Sequence, residues 1–347
     1  MQDTKQITED RWKDLNNFNK INIRNYSLSF LFIIVLYFIL RLSFDPSDPF
    51  NYTGGIYINI LIAILFSFSL NIAVGIMGQL SLGHAGFIAV GAYTGAVLSK
   101  ALLPYNLPPI LQLTITGVAG GIIAGLFGFF VGGSTLRLRG DYLAIITLAF
   151  GEIIKYVIQN MDFLGGATGL KNIPNIVTFD NVYLISIISM LIMGMIMISR
   201  KGREIQSIRE NEIAAENIGI HINKVKLYGF ALSAFFAGVG GSLYAHNVGV
   251  LTPDKFGFMF SIEILVMVVF GGLGSITGSI LSAVLLTLLN EQLRQASEYR
   301  YLVYAVILII LMIYRPDGVF GKKEITIPRF INKFKKIKNN WNNKKNN

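Results

Sequence analysis

The chain contains no cysteine, so disulfides, thiolate metal sites and cysteine nucleophiles are excluded. Charge is also scarce. Asp, Glu, Lys and Arg make up 14% of the residues, against about a quarter in an ordinary soluble domain. There are three histidines, His84, His221 and His246, and no HExxH, paired-carboxylate or nucleophile-elbow pattern surrounds them. No GxxxxGK(S/T) phosphate loop occurs either. The nearest decoy, the glycine-dense stretch 271–278, joins two apolar runs instead of a strand and a helix, so a dinucleotide fingerprint fails. The sequence therefore predicts no catalysis, no metal and no cofactor bound by this chain.

What the chain has instead is apolar length. Of its 347 residues 53% are hydrophobic, and they come in runs, which is the membrane signature. The runs are 27–44, 56–77, 84–103, 110–131, 142–159, 182–199, 227–247, 256–270, 276–293 and 301–314. Several fall short of the roughly 20 residues a helix needs to cross the hydrocarbon core. Short, glycine-interrupted segments can be re-entrant when neighbouring protein covers their free backbone groups. The predicted fold is an all-α polytopic membrane protein with about ten transmembrane or re-entrant helices.

The net charge of +10 is concentrated. Of the 30 Lys and Arg residues, 23 lie in four stretches: 1–26, Arg137 with Arg139, 200–226, and 315–347. Basic residues flanking apolar runs mark cytoplasmic loops. An even number of spans with both termini inside places all four stretches on that side. A nucleic-acid partner would need a soluble basic domain, and the sequence offers none. The expected organisation is a cytoplasmic segment 1–26, a membrane domain 27–315 with a polar loop at 200–226, and a basic cytoplasmic tail 316–347. The polar leader and the lack of a small-residue cleavage site make 27–44 an anchor in preference to a cleaved signal.

Three features invite a functional reading. Within the polar loop, 203–219 reads as one amphipathic helix with Ile205, Ile208 and Ile213 on its apolar face, and Gly219 as its stop. Such a helix is either a surface connector or a docking knob for a soluble partner. Two glycine-dense segments, 78–86 and 271–278, lie in opposite halves of the chain. Helix packing explains small residues at a membrane interface, but Gln79, Ser81 and His84 add polar groups, and broken segments in both halves point to a translocation path. Finally, Asp141, Glu152, Lys155 and Glu263 sit in or beside apolar runs, where a charge needs a partner or a wet cavity. Glu152 and Lys155 have the spacing to pair on one helix face.

The stretches 78–96 (GQLSLGHAGFIAVGAYTGA), 137–152 (RLRGDYLAIITLAFGE), 165–170 (GGATGL), 207–245 and 253–278 (PDKFGFMFSIEILVMVVFGGLGSITG) occur in an order that resembles the LivM-type permease subunit of branched-chain amino acid ABC importers. The resemblance implies a type II ABC importer-like permease in the bacterial inner membrane. It implies a related LivH-like second permease, two cytoplasmic ATPase subunits that carry ATP and Mg, and an extracytoplasmic amino-acid-binding protein. By that likeness Arg209, Glu210, Glu212, Ala214, Ala215, Glu216 and Gly219 couple to an ATPase. Their pattern departs from the E-A-A-x-x-x-G of general ABC importers: Ile213 stands where the glutamate belongs, and Glu212 comes one place early. Gln79, Ser81, His84, Thr168 and Glu263 are the pathway candidates. The alternatives are a urea, amide or sugar permease of the same superfamily, an ion-coupled transporter acting alone through Glu152 or Glu263, and a non-transporting scaffold.

Overall fold

The structure, a computed structural model, describes residues 33–44, 52–135 and 140–294, with isolated positions between 302 and 318. The whole segment 1–26, the tail 316–347 apart from Gly318, Arg137, Arg139 and much of the first and last apolar runs therefore lie outside the described residues. The chain divides into two units, Met1–Asn51 with Ile325–Asn347, and Tyr52–Glu324. The described part of the first is a short apolar helix, α1 (Ile33–Leu42).

The second unit is helical. Its elements are α2 (Tyr52–Asn71), α3 (His84–Leu102), α4 (Pro109–Thr135), α5 (Asp141–Gln159), α6 (Phe179–Ile198), α7 (Arg200–Glu210), α8 (Glu212–Asn217), α9 (Ile222–Val248), α10 (Phe258–Gly271) and α11 (Ile276–Gln292). The apolar runs predicted between residues 56 and 293 all appear as helices. Among the described residues six helices are long and apolar enough to cross a membrane, and α10 is a shorter apolar one. Helices suit such sequences because each satisfies its own backbone groups where water is absent. On α4 the exposed Ile115, Val118, Ile122, Leu126 and Phe129 recur at helical spacing. A stripe of that kind, with no charge on the helix, suits lipid tails rather than water.

α2 is the central helix, 83% of its apolar window being buried, against 33% for α5. One side of the unit is the trio α3, α4 and α9, where glycines bring main chains together. A Cβ on Gly120 would stand 2.7 Å from the Gly91 carbonyl oxygen, and one on Gly238 would stand 2.6 Å from that of Gly120. No side chain separates the helices there, which is the close approach small residues permit. The other side is α2 with α10 and α11, packed through Ile64, Val266, Met267, Ala283 and Leu286. Hydrogen bonds from side chains to main chain stitch it: Ser67 Oγ donates to Ser279 O (3.3 Å) and Ser282 Oγ to Met267 O (2.5 Å).

The polar loop corrects the sequence reading. Residues 203–219 are not one helix. Asn211 adopts an extended conformation, ends α7, and its side chain accepts from Ala214 N at 3.0 Å to start α8. Asparagine competes with helical bonding in this way and favours the cap position. The break turns the faces apart. Ile205 and Ile208 are buried, while Ile213, predicted on the same face, is 70% exposed. Gly219 takes a left-handed φ of 87° just past α8, as a helix stop requires.

Candidate functional site

The first glycine-dense segment begins where α2 changes pitch. Residues Ile72–Ile76 form a π-turn, closed by Met77 N to Ile72 O (3.0 Å) and Gln79 N to Ala73 O (2.9 Å). Such turns mark functional sites more often than regular helix does. The chain then crosses to α3, whose first amides need acceptors. Side chains from separate helices supply them. Thr147 of α5 accepts from Leu82 N (3.1 Å), and Ser261 of α10 accepts from Ala85 N (3.0 Å). His84 Nε2 lies 2.9 Å from Ser69 Oγ of α2.

The second segment, between α10 and α11, lies against the π-turn that leads into the first, where a Cβ on Gly75 would collide with Gly274 N. Asn71 of α2 reaches it with both ends of its amide. Its Nδ2 donates to Ser275 O (3.1 Å) and its Oδ1 accepts from Gly274 N (2.9 Å). The two segments share no residue-by-residue pattern in sequence, yet the fold joins them at one end of the helix bundle. α7 meets them there: Arg209 donates to the carbonyls of Gly75 and Leu273.

α8 is fastened to α9 from beneath. Lys226 is 2% exposed and its Nζ lies 2.9 Å from Glu212 Oε1. Glu212, one place early for the general importer pattern, is thus the carboxylate that compensates a buried lysine. Ala215 is buried behind α8. Glu210, Ala214, Glu216 and Gly219 face outward, as do Ile213 and Ile218 at 70% and 76% exposure. The last two are exposed isoleucines on a charged loop, apart from the apolar stripe on α4.

The pathway candidates are not gathered in one place. Ser81 and His84 are buried at 1% exposure, and Gln79 is half-buried beside them. Thr168 is exposed, its hydroxyl donating to Gly165 O within its own turn (2.9 Å). That loop is held by a bridge between Leu170 and Leu251 (2.9 and 3.0 Å), while Tyr93 Oη donates to Leu251 O at 3.1 Å. Glu263 of α10 accepts from Asn290 of α11 (2.5 Å). Glu152 and Lys155 pair at 2.6 Å, and Glu152 also accepts from Phe258 N at the start of α10 (2.8 Å). The residues sequence reasoning missed are Ser69, Asn71, Thr147, Lys226 and Ser261. For all but Lys226, which ends the polar loop, the available signal was a polar residue inside an apolar run, where an unpaired group is expensive.

The model of the family described as "Branched-chain amino acid transport system / permease component" matches residues 52–313. The chain is 34% identical over 294 residues to the high-affinity branched-chain amino acid transport system permease protein LivM of Escherichia coli K12, covering 75% of this chain and 68% of the relative. It is 25% identical over 274 residues to the corresponding protein LivH of the same organism (72% and 88%). It is 26% identical over 275 residues to BraD of Pseudomonas aeruginosa (72% and 89%). No solved structure matches the chain. Together with six helices of spanning length, these likenesses make it a multi-pass membrane protein.

Proposed function

The chain belongs to the family of permease components of branched-chain amino acid transport systems, and on that premise we propose that it is one membrane half of an ATP-driven importer for leucine, isoleucine and valine in the bacterial inner membrane. The related permeases named above support a heterodimer with a second, LivH-like permease. Two cytoplasmic ATPase subunits hold ATP and Mg, and an extracytoplasmic binding protein delivers the amino acid. The end of the bundle that carries α7 and α8 faces the cytoplasm, with both termini inside, as the basic residues of 200–226 favour.

The observation that carries the reading is α8. It is pinned by buried Ala215 and the Glu212–Lys226 pair, while Ile213 on the helix and Ile218 just past its end are exposed. A helix held firmly from behind with two apolar side chains outward fits a groove on a partner. Closure of an ATPase pair would displace α8 and α7 together, and the spans behind them would alternate between inward and outward access. Selection belongs to the binding protein, so this chain needs only a transient, weak path.

Reconstitution tests the reading. Proteoliposomes holding this chain, its partner permease, the two ATPases and the binding protein should take up labelled leucine only with ATP, with isoleucine and valine competing. Competition by urea instead would move the substrate to another branch of the superfamily. Uptake that persists without the ATPases would point to ion coupling and contradict the assignment.

A further inference from the structure

Arg209 is the last basic residue of α7, yet its guanidinium turns inward. One nitrogen, Nη1, donates to the Gly75 carbonyl in the π-turn that ends α2 and to the Leu273 carbonyl (3.3 Å) just past the end of α10. Both acceptors sit where helices run out of intrahelical partners, so both carry the negative end of a helix dipole. A guanidinium suits that position because its charge is permanent and its donors are fixed in a plane. The surrounding glycines make the approach possible. A Cβ on Gly274, whose φ is 83°, would collide with the Arg209 guanidinium, and one on Gly78 would lie 3.2 Å from Arg209 Cγ. A cavity of about 420 Å³ lies alongside, lined by Ile76, Met197, Gln206, Arg209, Leu273 and Ile276. The joint is thus bonded on one side and has room on the other.

We propose that Arg209 is the positioning residue that ties the docking helices to the ends of α2 and α10, so that a displacement of α7 reaches spans from both halves of the chain together. This role rests on the ATPase-coupled reading above. It differs from docking. Arg209 is engaged with the Gly75 and Leu273 carbonyls, whereas Ile213 and Ile218 are the exposed apolar side chains, so its loss should leave partner binding in place and remove the transmission of movement. Without it, α7 would slide past two carbonyls that no longer follow it.

The test is the ratio of amino acid taken up to ATP hydrolysed, measured on the complete transporter in proteoliposomes. Arg209→Ala is expected to assemble with the ATPases, to hydrolyse ATP within about twofold of the unaltered complex, and to lose about tenfold or more of its uptake per ATP. Arg209→Lys, able to reach one carbonyl at a time, should fall between. Gly274→Ala keeps the arginine but crowds its guanidinium, and should reproduce the Arg209→Ala ratio. If Arg209→Ala does not assemble, Arg209→Gln, which keeps a donor without the charge or reach, carries the same comparison. An unchanged ratio in the assembled variants overturns the proposal, as does a parallel fall of uptake and hydrolysis with assembly. If the unaltered complex itself shows uptake independent of ATP, the importer reading fails, which is a separate result.

Discussion

The trio α3, α4 and α9 and the group α2, α10 and α11 combine the same two means in different proportion, since Gln112 of α4 also donates to Ser99 of α3 (2.9 Å) and Gly271 and Gly278 also bring the main chains of α10 and α11 together. In the trio, glycine faces glycine, and main chains touch at Gly91, Gly120 and Gly238. Contacts of that kind set one spacing and tolerate no drift, because packed interiors resist even a methylene. In the second group, serine, asparagine and arginine side chains bond to carbonyls and amides across the seam. Such bonds break singly and can re-form one carbonyl along. α7 and α8 touch both groups at once, α8 gripping α9 through Lys226 and α7 gripping the ends of α2 and α10 through Arg209. One half held mainly by main-chain contact and one held mainly by side-chain bonds, both tied to α7 and α8, differ in what each would have to break in order to move.

The comparison can be broken at several strengths. The largest effect should come from Glu212→Gln, which leaves the Lys226 ammonium buried without its counter-charge and should cost about 3–5 kcal/mol. Glu212→Gln with Lys226→Met should recover most of that, which a double-mutant cycle on denaturation midpoints in detergent would show. A double variant no better than the single would remove the ion pair as the anchor of α8. Next, Gly91→Val forces a branched side chain into the Gly238 main chain and should cost about 3 kcal/mol or lose the folded protein, overpacking having no room for relief. A tolerated valine would show that the trio is not fixed.

Smaller changes sharpen the other half. Asn71→Ala removes both bonds to the α10–α11 turn and leaves the Gly274 amide unmet, an expected loss of about 1–3 kcal/mol. Amide exchange at residues 272–275 should rise while the trio stays protected. The smallest effect on stability belongs to Ile213→Ser with Ile218→Ser, within about 0.5 kcal/mol because both side chains are exposed. Association with the ATPases should nevertheless weaken at least tenfold in a pull-down titration. A large stability loss with unchanged association would reverse the roles of the two faces of α8.

Much of the fold was legible because membrane helices advertise themselves by apolar length, and runs such as 110–131 and 182–199 needed no tertiary information. The break in the polar loop was less so. Ile205, Ile208 and Ile213 share a helical period, and only Asn211, a residue equally at home in a turn, hinted that the period is interrupted. The site was read in pieces. The glycine segments were visible, but the tie between the end of α2 and the second of them depends on Asn71, the last of the twenty residues of α2 and one of several polar ones in it. Lys226 looked like part of a basic loop, and its burial follows from a partner fourteen residues earlier. Arg209 was placed on the docking helix by resemblance, whereas the direction of its side chain belongs to the packing of α7 against two turns distant in sequence.

The most direct measurement exploits the absence of cysteine. A single cysteine introduced at 213 or 218 and labelled with a thiol-linked photoreactive group before assembly of the complete transporter should cross-link to the ATPase subunit, and one at 168, in the loop bridged to Leu251, should not. That result places the coupling surface on the outer face of α8. Cross-linking of the ATPase from 168, or none from 213 and 218 in a complex that still couples ATP to uptake, would contradict the account.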